Sequence, residues 1–398
     1  MRILFVIASC LKVNTSANLC HIAYIQGCID NGFDVDVISM DESGCNIDGS
    51  IVLPKGCRYY NYVLPKYNNL SAGQSGQTSQ TKKSKIKGLI KAFILKFYGV
   101  YGRTYTIWMK KALKFKNITH YDLVISLATP YSSHHLAHKL IQKRRIKYSR
   151  WIQIWEDPWA TDLYNIDKSN KKYKEEKNLL SYADSVLYVS PLTLENQKKL
   201  FPEFANKMNW HPLPYYYKLN DTSSVKNSKK EIVFGYYGDY HSFSRNLLPF
   251  YEAAKTTNIK ANIWGNSDTK LESTNNILVK PRVPLDELND AEIETDVYVF
   301  LCNLGGGQIP GKIYPNSATK KYILFILDGS CYEKEVIKNF FSKYNRYIFC
   351  DNTVESISDG IKKIQNDEQS LFAPYIVEAF SPKNTIVEVL EKFNIYYQ

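Results

Sequence analysis

Apolar runs and helical segments alternate along this chain in two separate series, and that alternation leaves few folds open. "RILFVIA" (2–8) is a continuous apolar run, the pattern of a strand covered on both faces. Residues 17–32 read as a helix closed by Gly32, where glycine takes the left-handed cap, and "DVDVISM" (34–40) as the next strand. A strand–helix–strand opening demands a parallel sheet with right-handed crossovers. The first series continues with helices over 86–99 and 103–116, the strand "YDLVISLA", a helix over 132–145, the strand "YSRWIQIW", a helix over 171–182, the strand "SVLYVS" and a helix over 191–200. Polar stretches at 69–85 and 220–230 read as a mobile loop and a linker. The pattern then restarts with "EIVFGYYG", helix 245–256, "ANIWG", "ILVKPRV", helix 284–291, "DVYVFLC", helix 316–321, "YILFIL", helix 331–343, "RYIFC" and helix 353–366. The expected fold is α/β, with two Rossmann-like domains, 1–220 and 221–380, whose parallel sheets face a central cleft. A last helix within 381–398, with Pro382 near its start, is expected to pack back across the junction.

Composition narrows the function. The 398 residues are 44% hydrophobic and 23% charged, enough apolar matter for real cores. No run of about 18 apolar residues occurs, so no spanning helix is expected. Eight cysteines without a C-x-x-C pair argue against zinc and against a disulfide framework, and point to a reducing, cytoplasmic setting. The net charge of +12 favours an anionic partner. One candidate surface is the lysine-rich stretch 82–97, whose apolar residues at 86, 89, 90, 93, 94 and 97 form one helical face. It suits an anionic membrane, or equally a core-packed helix with a solvated lysine edge. No nucleic acid partner is expected, because the cations are not interleaved with aromatics in a strand pattern.

Ligands of open parallel sheets sit at the carboxyl ends of the strands. In the second series these ends carry "GDYHSFSRN", "GNSD", "PRVP" and "CNLGGGQIPGK". The first supplies Gly238, which permits close backbone approach, then Asp239 and Arg245. The last supplies Gly305, Gly306, Gly307 and Lys312. Glycines with a cation before a helix suit a diphosphate, although glycines also end strands for structural reasons. The first β–α turn lacks G-x-G-x-x-G and no P-loop is present.

The order of motifs is similar to that of the bacterial GT-B glycosyltransferases of family 4. "WIQIWEDPW" resembles a strand ending in R-D-P-W, and "LLSYADSVLYVSPLTLENQKKLFP" its "ADxIxxVS" segment. "VFGYYGDYHSFSRNLLPFYEAA" resembles a "YxGxxxxxR/KN" unit, and "IPGKIYPNSATKKYILFI" its "PxKxxEYxAxGKPIL" signature. The resemblance implies sugar transfer from a nucleotide-activated donor to an acceptor hydroxyl on a glycan or lipid-linked saccharide. It also implies retention, no metal or other cofactor, and a place in surface polysaccharide synthesis such as O-antigen or capsule. Arg245 and Lys312 are then expected on the leaving diphosphate. Glu156 and Asp157 would face the donor sugar, or cap the turn before Pro158. The donor pocket would include Gly238, Asp239, Gly265, Asn266, Arg282, Val283, Gly306, Gly307, Tyr314 and Asn316. The acceptor would meet Asn14, Thr15, Ser16 and Asn18, which equally suit helix capping, and Thr129, Tyr131 and His134, the last more often a structural residue type. One departure stands out: Pro315 occupies the position of the signature's ribose-holding glutamate, with Asn316 next to it. A GT-B nucleotide-sugar epimerase and a non-catalytic sugar-nucleotide or nucleic-acid binder remain the alternatives.

Overall fold

A computed structural model describes residues 1–64, 99–163, 170–216, 231–366 and 375–396. The expected loop at 69–85, the lysine-rich stretch 82–97, nearly all of helix 86–99 and the linker 220–230 lie outside the described residues.

The first half builds one sheet. In chain order its elements are β1 (Arg2–Ile7), α1 (Ser16–Asp30), β2 (Asp34–Met40), β3 (Cys57–Tyr62), α2 (Gly102–Ala112), β4 (His120–Ala128), α3 (Ser132–Gln142), β5 (Lys147–Trp155), α4 (Asn170–Tyr182), β6 (Ser185–Tyr188), α5 (Pro191–Leu200) and β7 (Met208–Trp210). Strand order is β3-β2-β1-β4-β5-β6-β7, all parallel. The second half contains β8 (Val233–Tyr237), α6 (Leu248–Thr256), β9 (Lys260–Trp264), β10 (Ile277–Lys280), α7 (Leu285–Glu294), β11 (Val297–Leu301), α8 (Ile313–Ser317), β12 (Tyr322–Leu327), α9 (Cys331–Ser342), β13 (Ile348–Asp351), α10 (Val354–Gln365) and α11 (Pro382–Lys392). Its order is β10-β9-β8-β11-β12-β13, again all parallel. The central strands β1, β4, β8 and β11 carry the continuous apolar runs, as sheets covered on both faces require.

Several elements differ from expectation. The edge strand β3, "CRYYNY", is half exposed and has no apolar run, so it left no signal in the pattern. β7 has three residues, too few to register. The strand expected over 277–283 stops at Lys280, because Pro281 has no N–H for a ladder. The helix expected over 316–321 instead spans Ile313–Ser317. Pro315 falls within its first turn, where a missing N–H costs nothing.

The two halves share a core. One apolar cluster joins Phe5, Ile25 and Val37 of the first half to Phe325, Tyr347, Phe380 and Ile386 of the second. The chain end makes this possible. Tyr215 N–H donates to Phe380 O at 2.9 Å, and α11 lies along α1. The approach is close: a Cβ on Gly27 would stand 2.1 Å from Pro382 O. Gly27→Ala is therefore expected to lower stability by about 1–3 kcal/mol, through a forced shift of α11. Urea unfolding measures this, with Gly49→Ala as the neutral control, since nothing lies within 4 Å of a Cβ there.

Candidate active site

Both sheets reverse their winding between adjacent strands, β1/β4 in one and β8/β11 in the other. The carboxyl ends of these strands supply the loops on either side of one cleft. Two adjoining pockets fill it, with 1040 and 1060 Å³ of empty space including their open mouths. Both are bordered by Ser16 from the first half and by Gly238, Asp239, Arg282, Lys312 and Asn316 from the second.

The second-half wall rests on a tight backbone crossing. A Cβ on Gly265 would stand 1.9 Å from Gly238 O, so only glycine lets the β8 and β9 ends converge. Asp239 then ties this rim together. Its Oδ1 accepts from Asn266 N–H at 2.8 Å, and its Oδ2 lies 3.8 Å from Arg282 Nη1. Arg245 is held by two bonds, Nε to Asn303 Oδ1 at 2.9 Å and Nη1 to Asp239 O at 2.8 Å, and it lines the larger pocket. Lys312 borders both pockets, with Nζ 3.6 Å from Glu292 Oε1. Crowding by the cleft walls, with Arg282 adding repulsion, pulls its ammonium down from the usual lysine range. Since 42% of the side chain stays accessible, water in the cleft tempers that effect. Val283, Trp264, Tyr237 and Leu288 give the smaller pocket an apolar wall.

Of the other expected donor residues, Asn316 reaches the pockets, while Tyr314, Gly306 and Gly307 do not. Tyr314 is buried and packs edge-on against Phe380 at 5.1 Å, within the shared core. Asn316 lies inside α8 rather than capping a helix, and its side chain faces the pockets. Gly306 and Gly307 have φ of 87° and 74° and touch the opposite half rather than the pockets. A Cβ on them would press on Leu163 and Leu192, respectively. Ser190 Oγ donates to Gly307 O at 2.5 Å. The glycine run is thus a seam between halves, and only its end, Gly311 and Lys312, reaches the pockets.

On the first-half side, Asn14, Thr15 and Ser16 border the pockets. Thr15 also caps α1, its hydroxyl accepting from Asn18 N–H, and Asn14 donates to Asp48 at 3.0 Å. Asn18 is buried and fully engaged, with Ser9, Cys10 O and Val13 O as partners. His134 is likewise a core residue, 2.7 Å from Ser126 Oγ and tilted against Trp155 with ring centroids 4.5 Å apart. Burial keeps it well below the usual histidine range. Thr129 follows the end of β4, and Tyr131 stacks on Trp159 at 4.6 Å.

Glu156 and Asp157, at the end of β5, line neither pocket. Glu156 is buried 3.3 Å from His21 Nε2, and burial raises its carboxyl despite that neighbour. Asp157 is reached by a residue with no counterpart among the expected site residues, Gln308. The Gln308 amide donates to Asp157 and to Asp162, at 3.4 Å for the latter. Gln308 O accepts from Asn303 Nδ2 at 3.1 Å, and Asn303 holds Arg245. A hydrogen-bonded chain therefore runs from the cation of one half to the acid of the other. Burial, with Asp162 and Glu156 nearby, pushes Asp157 up to about 7. The only sequence signal for Gln308 was its place after the glycines.

No protein-family model matches the chain, and no curated protein sequence matches it. Solved structures do. An alpha-glucosyltransferase in complex with UDP and a 13-mer DNA containing a central A:G mismatch superposes with a TM-score of 0.58 at 13% identity, over 99% of both chains. Sucrose-phosphate synthase from Thermosynechococcus elongatus gives 0.52 at 12% identity, over 99% of this chain and 98% of that one. A protein described as a UDP-N-acetylglucosamine 2-epimerase from Listeria monocytogenes gives 0.51 at 8%, over 100% and 97%. At these identities the likeness is one of fold, and it establishes the GT-B arrangement over the whole chain.

The seam is expected to weaken as pH rises. The folded state holds the Asp157 proton more tightly than the unfolded chain, so its contribution is full below about pH 4 and is lost as pH climbs toward about 7. Glu176, also buried and raised to about 7, adds a slope of the same sign. Asp157→Asn should flatten the fall in urea midpoint across this window; an unchanged slope would show that Asp157 stays charged.

Proposed function

We propose that the protein is a glycosyltransferase. It moves a sugar from a nucleotide-sugar donor held by the second half to an acceptor hydroxyl held by the first. The observation that carries this reading is the convergence of Arg245, Arg282 and Lys312 on one cleft at the strand ends, facing polar residues of the other half. As the glycosidic bond breaks, negative charge grows on the leaving diphosphate, and fixed cations there lower the barrier. The apolar wall of Trp264, Val283 and Leu288 suits the flat face of a nucleobase. Asn316, with no side-chain hydrogen bond to another described residue, offers the donor ribose the partner that Pro315 lacks. Asp157, raised by burial to about 7, lies behind the pockets, where Gln308 ties it to the segment that carries Lys312.

The solved neighbours support this reading, among them the alpha-glucosyltransferase in complex with UDP. In our reading transfer proceeds with retention and needs no divalent metal, since cations of the chain take the charge. The acceptor is a glycan or lipid-linked saccharide of a surface polysaccharide. The Listeria protein favours a second reading, isomerisation without an acceptor. Product analysis with and without acceptor separates the two.

Lys312→Ala and Arg245→Ala should each lower kcat about 10²–10³-fold while the fold survives, as loss of one charge-stabilising donor does elsewhere. Normal turnover in both variants would defeat the assignment. Excess EDTA should leave the wild-type rate unchanged. Because Lys312 is drawn down to about 8, activity should fall above that pH. Lys312→Arg should remove that alkaline limb.

A further inference from the structure

The smaller pocket takes its apolar lining from both halves, Trp264, Val283 and Leu288 from the second and Leu19, Pro214 and Tyr216 from the first. Asn14 borders the same space, just ahead of α1. The helix does not need it there, because Thr15 supplies the cap. Asn14 bonds instead to Asp48, on the loop that follows β2.

Asp48 is fixed independently of Asn14. Its N–H donates to Lys12 O at 2.8 Å, and Ile51, three residues on, is anchored in the shared core. Its Oδ1 accepts from Ser50 N–H at 2.9 Å and from Ser50 Oγ at 2.6 Å, which leaves Oδ2 for Asn14 Nδ2 at 3.0 Å. The Ser50 hydroxyl above all, with Ser50 N–H and the Asn14 amide, holds the carboxyl below the usual carboxylate range against some burial. It is therefore ionised at neutral pH. An ionised carboxylate accepts and never donates, so the Asn14 amide has one orientation, nitrogen toward Asp48 and oxygen away from it. Asn14 Oδ1 accepts no hydrogen bond from another described residue. The pocket is thus offered a hydrogen-bond acceptor whose polarity is set by the charge behind it.

We infer that Asn14 Oδ1 accepts a hydrogen bond from the nucleoside of the bound donor, and that Asp48 is the positioning residue that keeps it turned that way. The inference rests on the donor pocket proposed above and extends it, since the first half then shares in holding the donor. The hydrogen comes from a ribose hydroxyl or from a base N–H, which present the same chemistry to an amide oxygen. Thr15 and Ser16, which border the larger pocket, remain for the acceptor.

The test is isothermal titration of the full chain with ADP, CDP, GDP and UDP, continued with the one that binds tightest. Asn14→Leu should weaken it about tenfold, and Asp48→Asn about three- to tenfold, since an amide at 48 no longer dictates how Asn14 is turned. The exchange Asn14→Asp/Asp48→Asn keeps the total charge. It should restore affinity to within about threefold, because the amide at 48 donates to the carboxylate at 14 and leaves a second oxygen for the nucleoside. Analogues identify the source of the hydrogen. The cost of Asn14→Leu should vanish with the 2′-deoxy or 3′-deoxy nucleotide if the ribose supplies it, and with the form methylated on the base N–H if the base does. A pair that only supports the fold would cost the same for every analogue. That result, unchanged affinity in Asn14→Leu, or an exchange no better than the single variants would overturn the inference and leave the donor pocket standing. If the wild type binds none of the nucleotides, the donor-pocket reading falls and this inference falls with it.

Discussion

The segment from Cys302 to Lys312 is anchored at both ends of the cleft, and the arrangement of the site depends on it. Its glycines press on Leu163 and Leu192 of the first half, and Ser190 bonds to Gly307 O. Its amide side chains, Asn303 and Gln308, reach back to Arg245 and across to Asp157. Only after these attachments does it deliver Gly311 and Lys312 to the pocket wall. The positive φ at Gly306 and Gly307 follows from this double duty: a side chain at either position would push the halves apart while asking for a strained backbone. The cleft-facing Lys312 and the packing between the halves are thus carried by one short stretch. Whatever moves the halves moves Lys312 with them.

Buried acids along the same seam show a cost accepted for position. Glu156, Asp157 and Glu176 are all raised by burial, a state that weakens folding once they ionise. Glu176 is partly compensated by the N–H of Ala160 at 2.7 Å, which fixes the turn after β5. Asp157 is compensated by a residue of the other half, so its comfort depends on how the halves sit. A carboxyl satisfied only in one arrangement of two bodies responds to their spacing, which is a reason to place it beside a cleft.

Much of the fold was legible because both sheets are covered on both faces. The central strands then had to be continuous apolar runs, and β1, β4, β8 and β11 announce themselves as such. The edge strand β3 was not legible, since an edge needs no apolar run, and α8 was displaced because Pro315 sits comfortably in a first turn. The position of Arg245 and Lys312 at the cleft could be read because loops after the strand ends of a parallel sheet line it. Gln308 could not, since its partners Asp157 and Asp162 lie about 150 positions away in sequence and nothing local links them. Tyr314, Asn18 and His134 each admitted a structural as well as a ligand-contact reading from sequence, and the structure buries all three.

The signature that this chain resembles has a carboxylate three residues after its lysine, where this chain has Pro315. Glu292, from the far end of α7, brings a carboxyl to 3.6 Å of Lys312 Nζ. Glu292 is 4% exposed, so this charge is held within the wall, not offered to solvent. Lys312 is thus drawn toward the wall by a carboxyl, while crowding and Arg282 pull its ammonium down. In the proposed reaction an arriving diphosphate would meet a lysine already drawn toward the wall and compete for it. Affinity for the ground state is reduced, while a leaving group of rising charge competes more strongly. A carboxylate beside the cation, supplied by a different helix, thus shifts binding toward the charge that develops during the reaction.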